Sequence, residues 1–178
     1  MTDEYRNTEA RLPAVPEGFK LRSEVSGTDV QRVAALVSAA GNFSRAEIDL
    51  ACELIEERLA KGAASGYEFI FLEADTDLAG YTCYGPIPAT DRRFDLYWIA
   101  VHPGQQGRGL GRWLIARTEH EVRRRGGIKV YIETSSRDNY AAARALYQRC
   151  DYRLDAQIRD YYAAGDANCI FSKPLTSV

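Results

Sequence analysis

The chain has 178 residues, of which 46% are hydrophobic and 27% are charged, as expected for one globular domain with a substantial core. Its 23 Lys and Arg residues nearly balance 25 Asp and Glu residues, which argues against a nucleic-acid-binding protein. The polar stretch Met1–Pro16 has no apolar core, so neither a signal peptide nor a membrane span is predicted, and a cytoplasmic protein is the default. We expect a flexible tail over residues 1–17 and a single domain over residues 18–178.

The first elements are a strand followed by two helices. Apolar and polar residues alternate over 19–25, which indicates a strand with one buried face. A capping box, Thr28-x-x-Gln31, opens the first helix, which ends at Gly41, and a second box, Ser44-x-x-Glu47, opens the next helix. In that second helix, Ile48, Ala51, Ile55 and Leu59 are predicted to face inward.

The rest of the chain alternates strands and helices. A hairpin is predicted around Ala74-Asp75-Thr76-Asp77, and Ser136–Asn139 is predicted to cap the last helix. The predicted elements are strands over 67–73, 78–84 and 93–101, a helix over 109–125, a strand over 129–134, a helix over 140–150, and strands over 152–160 and 168–172. This order predicts one α/β domain with a mixed, mostly antiparallel sheet of about seven strands and helices on both faces.

A glycine-rich turn joins the strand over 93–101 to the helix that follows it. Glycines let the backbone approach a ligand closely, and the unpaired N–H groups of a first helical turn attract an anion. The turn does not match the P-loop motif, because Leu110-Gly111 occupies the two positions where that motif requires Lys and then Ser or Thr. The dinucleotide-binding motif G-x-G-x-x-G does not match either, because the third glycine of Gly107-Arg108-Gly109-Leu110-Gly111 comes one residue too early.

The residues that do fit are Gln106-x-x-Gly109-x-Gly111 after a Val-His-Pro strand end. They resemble the acyl-CoA pyrophosphate loop, Q/R-x-x-G-x-G/A, of the GNAT superfamily of N-acyltransferases. Leu146-Tyr147 and Tyr152 match the family's second signature, N-x-x-A-x-x-L-Y-x-x-x-G-F/Y. Two positions depart from it: Tyr140 stands at the Asn position, with Asn139 one step early, and Asp151 replaces the Gly and would need a left-handed backbone.

The resemblance implies acetyl-CoA as the acyl donor, held mainly by main-chain groups, and requires no metal. The pyrophosphate would lie on the loop, Arg112 would add a cation, and the pantetheine arm would pair with the strand before the loop. The residues assigned to acetyl-CoA in this way are Ile99, Ala100, Val101, Gln106, Gly107, Arg108, Gly109, Leu110, Gly111 and Arg112.

Three residues are candidates for the chemistry. In the family an acidic side chain six residues before the motif's Val often acts as general base, which points to Asp95, and Tyr97 lies where other members place a base or a water-holding group. Tyr147 matches the Tyr that protonates the departing thiolate. Alternation predicts Asp95, Tyr97, Ile99 and Val101 on one face and Leu96, Trp98 and Ala100 on the other. Structural roles stay open. Asp95 could be a solvated group at the strand start or one salt-bridged to Arg92 or Arg93, and Tyr147 could be a core aromatic.

Four residues are candidates for binding the acceptor. In this fold the connection between the last two strands borders the acceptor site, which points to Asp160, Tyr161 and Tyr162. A hairpin with aromatic cross-strand packing explains the same residues equally well. Glu133, on the fifth strand, is a further acid or base candidate beside the expected cleft.

The function implied is N-acetyl transfer from acetyl-CoA to a primary amine of a small molecule, peptide or protein, by direct attack in a ternary complex. The alternative is a non-catalytic acyl-CoA-binding or regulatory module that kept the loop and lost the chemistry. A nucleic-acid or protein adaptor has only Arg123-Arg124-Arg125 in its favour, and a helix C-terminus also explains that run. No membrane partner is expected, and a homodimer is consistent with the family, whose members are often dimers.

Overall fold

One seven-stranded sheet runs through the centre of the molecule, in the order β1-β2-β3-β4-β5-β7-β6. The computed structural model describes residues 12–75 and 77–175, so most of the predicted tail lies outside the described residues. The elements are β1 (Lys20–Arg22), α1 (Asp29–Ala40), α2 (Arg45–Lys61), β2 (Glu68–Ala74), β3 (Asp77–Pro86), β4 (Arg93–Val101), α3 (Leu110–Arg124), β5 (Lys129–Ser135), α4 (Ala141–Arg149), β6 (Arg153–Ala163) and β7 (Asp166–Pro174).

The sheet is mixed and mostly antiparallel, with a hydrophobic core on each face, as predicted. Among the described strands, β4 and β5 alone pair in parallel. One core packs α1 and α2 against the sheet around Val33, Ile55 and Tyr81. The other packs α3 and α4 against the opposite face around Leu114 and Tyr147. Among the described residues no helix is long and apolar enough to cross a membrane.

The parallel pair separates soon after it begins. Strands β4 and β5 pair only over Arg93–Asp95 and Lys129–Tyr131. Strand β4 continues to Val101 against β3, and β5 continues to Ser135 against β7. Their facing edges therefore diverge, and among the described strands none bonds the β4 edge beyond Asp95. This gap in the sheet positions the functional site.

A β-bulge in β4 overturns the predicted alternation of its side chains. Cys83 of β3 pairs with Trp98 and Tyr84 pairs with Leu96, so Tyr97 is the extra residue. Leu96 consequently lies in the α3–α4 core with Ile99 and Val101, whereas Tyr97 and Trp98 both pack toward α1 and α2. The prediction that Tyr97 shares a face with Ile99 and Val101 is wrong, because a bulge shifts the period-two pattern by one residue.

Of the three predicted N-terminal helix caps, one forms and two do not. At α2 the capping box forms, with Glu47 N donating to Ser44 Oγ and Ser44 N to the Glu47 carboxylate. At α1 Thr28 makes no cap, and buried Asp29 instead accepts from Ser26 N at 2.8 Å and from the Arg22 guanidinium. At α4 no side chain caps the start, because the hydrogen-bonding groups of Ser136 and Asn139 bond elsewhere.

The last two strands are longer than predicted. They continue to a turn at Ala164-Gly165, so most of the expected connection over 161–167 is strand. Strand β1 is shorter than predicted, and Leu59 of α2 is exposed rather than inward-facing. Asp151 does take the left-handed backbone that its place at the end of α4 requires, with φ of 66°.

Candidate active site

The diverging strands open a cleft of about 1200 Å³. Strands β4 and β5 form two of its walls. The start of α3 and one face of α4 enclose one end of the cleft, and the connection between α1 and α2 encloses the other. Tyr162 of β6 also lines it. Residues far apart in sequence therefore meet around one elongated space.

The glycine-rich turn presents a row of unpaired donors at the first end. Gly107 and Gly109 have φ of 77° and 76°, a left-handed conformation that glycine adopts without strain. After Gln106, whose N–H bonds the carbonyl of Pro103, the next backbone N–H with a partner in the described chain is that of Trp113. The six N–H groups from Gly107 to Arg112 therefore have no protein acceptor at the positive end of α3, an arrangement suited to an anion.

Nearly all residues assigned to acetyl-CoA line this cleft, and Arg108 is the exception. The lining set is Ile99, Ala100, Val101, Gln106, Gly107, Gly109, Leu110, Gly111 and Arg112. The Arg108 guanidinium lies over the Phe19 ring at 4.6 Å and donates to Gln105 Oε1 at 2.6 Å, so its side chain is held outside the cleft. Arg149 at the end of α4 also lines the cleft, and sequence reasoning missed it because it stands at a position where the second signature specifies no residue.

Tyr147 lines the cleft from α4 and is 5% exposed. Its ring packs edge-on against Phe171 at 5.7 Å, and its hydroxyl has no hydrogen-bond partner among the described residues. Burial raises the pKa of Tyr147 above its ordinary value, so the phenol stays protonated at neutral pH. A neutral, unpartnered hydroxyl in a cleft can donate a proton to a group that arrives there.

Asp95 lies where β4 and β5 begin to separate. It is half-buried, it lines the cleft, and no described cation lies within ion-pairing distance of it, so the predicted alternative of a salt bridge to Arg92 or Arg93 does not form. Burial, and then the nearby Glu133 carboxylate, raise the pKa of Asp95 to about 6. The carboxylate is therefore ionised at neutral pH but binds a proton more readily than an ordinary Asp.

Tyr97 also faces the cleft, through the bulge described above. Its ring packs edge-on against Tyr67 at 5.4 Å. Burial, followed by the charge of Asp95, raises the pKa of Tyr97 to about 12. The phenol of Tyr97 is therefore neutral at neutral pH and lies beside Asp95.

The acceptor candidates divide between the cleft and the hairpin. Glu133 and Tyr162 line the cleft. Asp160, with φ of 55°, accepts from Gly165 N at 2.7 Å and holds the hairpin turn. Tyr161 is 56% exposed and contacts the Tyr162 ring edge-on at 5.0 Å. Three extra residues on β6 between Ile158 and Ala163 form the irregularity that turns this segment.

Several further residues complete the second end of the cleft. Phe43 stacks on Trp98 at 5.5 Å, and the Tyr140 hydroxyl donates to Glu47 Oε1 at 2.5 Å. Asn139, the near-match to the family's Asn, donates to the carbonyl of Asn42 at 2.9 Å and does not line the cleft. Sequence analysis saw only a helix start in Ser44-x-x-Glu47, and nothing in the sequence signals that this start meets α4.

Comparison with known proteins identifies the family. The profile of the Acetyltransferase (GNAT) family matches residues 36–152. A crystal structure of a protein assigned to the GNAT family from Desulfovibrio desulfuricans is 42% identical, with a TM-score of 0.86 over 89% of this chain and 99% of that one. The fold is also that of yncA from Salmonella typhimurium, solved with acetyl-CoA, at 21% identity and a TM-score of 0.68 over 90% of this chain and 96% of that one.

A curated relative, the mycothiol acetyltransferase of Rhodococcus erythropolis, is 30% identical over 153 residues. The match covers 78% of this chain and 48% of the relative, so the chain spans about half the length of the protein it matches. Loop, second signature, sheet order and profile match agree with one another, and the chain belongs to the acetyltransferase (GNAT) family.

Proposed function

We propose that the protein is an N-acetyltransferase that transfers an acetyl group from acetyl-CoA to a primary amine by direct attack. The observation that carries the proposal is the row of six unpaired N–H groups at the start of α3, opening into the same cleft as Asp95 and Tyr147. The acetyl-CoA bound in yncA supports the donor. The half-length match to a mycothiol acetyltransferase supports acetyl transfer but does not identify this chain's acceptor.

The cleft fits the donor at three points. Its pyrophosphate would lie on the N–H groups from Gly107 to Arg112, with the Arg112 and Arg149 guanidiniums beside it. The unpaired edge of β4 beyond Asp95 offers main-chain groups to the pantetheine arm, whose amides can bond there as an added strand does. The thioester supplies the activated acetyl group, and the protein has to orient it and move protons.

Asp95 and Tyr147 are in opposite protonation states at neutral pH, which suits them to the two proton transfers of the reaction: removal of a proton from the amine and donation of a proton to the leaving thiolate. An amine attacks only when neutral, and neutralising a lysine-like amine at pH 7 costs about 4.6 kcal/mol, compared with about 1 kcal/mol for an α-amine. Asp95, ionised at neutral pH, can accept that proton directly or through water. Tyr147, neutral because it is buried, can donate a proton to the departing thiolate. Main-chain N–H groups of β4 are suited to stabilise the oxyanion.

Thermal unfolding with and without acetyl-CoA tests the proposal. Ligand at 100 times its Kd stabilises by about 2.7 kcal/mol, which should raise Tm by roughly 5–11 °C in a domain of this size. Gly109→Glu should abolish the shift, because it places a carboxylate where the phosphates bind. Gly126→Glu is the matched control, since Gly126 has φ of 80° and lies outside the cleft, and the shift should remain. Absence of a shift in the unmodified protein with any acyl-CoA would refute the proposal.

A further inference from the structure

The charged residues that line the cleft separate by sign. Arg112 and Arg149 lie at the end formed by α3 and α4, whereas Asp95, Glu133 and Glu47 lie toward the other end. The remaining lining cation, Arg137, is ion-paired with buried Asp166 at 2.8 Å. The donor end is therefore positive and the acceptor end is negative, a difference that the near-zero net charge of the whole chain conceals.

Two of the three acceptor-end carboxylates have no cationic partner in the described chain. The third, Glu47, accepts from the Ser44 N–H at 2.7 Å and the Tyr140 hydroxyl at 2.5 Å, and it also interacts electrostatically with Arg137. Asp95 and Glu133 make no ion pair with any described residue. Like charges so close together are unfavourable unless something positive joins them.

Asn168 fixes the position of Glu133. This side chain is 1% exposed on β7 and donates from Nδ2 to Glu133 Oε2 at 2.6 Å. The Asn168 Oδ1 atom is buried with no donor in the described chain. The amide therefore orients the carboxylate without neutralising it, and its unpaired carbonyl adds negative potential at the same place.

The register of the sheet gives the spacing of the two free carboxylates. Asp95 pairs with Tyr131, and Glu133 lies two residues further along β5 on the same face. Paired strands are about 4.8 Å apart and rise about 3.3 Å per residue, and β4 and β5 diverge beyond Asp95, so the two Cα atoms are at least about 8 Å apart. The aromatic side chains of Trp98 and Tyr162 line the same end of the cleft and suit an apolar or cationic body.

We propose that Glu133, oriented by Asn168, binds a second cationic group of the acceptor, so that the preferred acceptor is a diamine with a short hydrocarbon spacer. The inference rests on the proposed function, in which Asp95 takes the proton from the reacting amine. A second ammonium then compensates the Glu133 carboxylate, which Asn168 orients through a neutral hydrogen bond. An acceptor with a single amine leaves that charge without a partner.

Amines of matched length test the proposal. With saturating acetyl-CoA at about pH 8, where Asp95 is ionised, thiol release is measured with putrescine, with n-butylamine and with the amino alcohol of the same length. We expect kcat/KM for putrescine to exceed that for n-butylamine by about tenfold or more, as for a hydrogen bond to a charged group. The amino alcohol should behave like n-butylamine, because a hydroxyl carries no charge.

Glu133→Gln assigns the preference to this side chain. Glutamine still accepts from Asn168 but has no charge, so the ratio of putrescine to n-butylamine should fall toward one, mainly through KM for putrescine. Glu53→Gln is the matched control: Glu53 is exposed on α2, outside the cleft, and its loss should leave the ratio as in the unmodified protein. A ratio near one in the unmodified protein, or one that survives Glu133→Gln, would overturn the proposal.

Isothermal titration calorimetry separates this inference from the function on which it rests. Putrescine should bind the protein about tenfold more tightly than n-butylamine, and Glu133→Gln should remove the difference. Failure of every amine to give thiol release would count against N-acetyl transfer, whereas equal binding of the two amines would count against the diamine site even if acetyl transfer occurs.

Discussion

Burial acts in the same direction on Tyr147 and Asp95, the two residues for which we propose opposite proton-transfer roles. Removal from water disfavours the charged form of both groups, so each pKa is raised. For a phenol this keeps the proton available, and for a carboxyl it brings the pKa to about 6, closer to that of a useful base at neutral pH. The departures at Tyr140 and Asp151 leave this pair intact.

Tyr147→Phe should lower kcat by about 10²-fold, the usual effect of removing a general acid. Because the ring still packs against Phe171 and the loop is untouched, affinity for acetyl-CoA and thermal stability should stay near those of the unmodified protein. Steady-state kinetics and calorimetry with acetyl-CoA give the two readings. Unchanged turnover would remove Tyr147 from the mechanism. A protein that binds acetyl-CoA but never turns over would instead be the non-catalytic module.

Asp95→Asn should lose activity and gain stability. The pKa of Asp95 is about 6 in the folded protein, above its ordinary 3.8, so the folded state holds the proton more tightly than the unfolded state. The free energy of unfolding therefore falls as pH rises between these values, and the full cost is present above about pH 6. Discounted for solvent screening, removing the charge should gain about 1 kcal/mol, or roughly 2–4 °C in Tm.

Two measurements check this behaviour. The rate of the unmodified enzyme, as kcat/KM, should fall on acidification through about pH 6, and Asp95→Asn should lack that limb. Melting at about pH 8 should show the gain in Tm, and melting below about pH 3, where Asp95 is protonated in both states, should not. A gain that is independent of pH would show that packing rather than charge is responsible.

Among the elements, β4 and α2 shape the two ends of the cleft. The bulge at Tyr97 puts two successive aromatic side chains, Tyr97 and Trp98, on the α1–α2 face, where Phe43 stacks on Trp98. The capping box at Ser44 fixes the start of α2, and its Glu47 also accepts from the Tyr140 hydroxyl. The start of α2 therefore also connects the α1–α2 segment to the start of α4.

The two predicted capping boxes should contribute differently to the free energy of unfolding. Ser44→Ala removes a side chain that accepts from Glu47 N and should cost about 1 kcal/mol of unfolding free energy. Thr28→Ala removes a hydroxyl that contacts only the exposed Ser26 hydroxyl and should cost less than about 0.5 kcal/mol. Urea denaturation of both variants measures the difference. Equal losses would contradict the cap assignment.

For the molecule as a whole, the cleft follows from how the sheet is connected. Strands β3 and β7 bond the outer edges of β4 and β5, which pair with each other in parallel. Where this pair separates, main-chain donors and acceptors of β4 lack a protein partner, and buried groups of that kind need water or a ligand. The same separation brings α2, α4 and β6 around one space.

Much of this architecture was predictable from local sequence. The bounds of β4, the Ser44 cap and the left-handed Asp151 depend on residues within one turn or one strand. The glycine-rich turn was likewise predictable from local sequence, because the glycine spacing and the start of a helix suffice to predict a row of free N–H groups. Family resemblance to the loop and to Tyr147 then supplied the expected chemistry.

Other features depended on contacts between residues distant in the chain. The bulge at Tyr97 exists only as a register between β3 and β4, and the gap beyond Asp95 only as the separation of β4 from β5. The Asn168–Glu133 contact joins residues 35 positions apart, and the Tyr140–Glu47 contact joins residues 93 positions apart. The sequence by itself determined most of the elements and the glycine-rich turn. The tertiary structure alone decided the far end of the cleft, because pairing register and long-range packing leave no local periodicity in the chain.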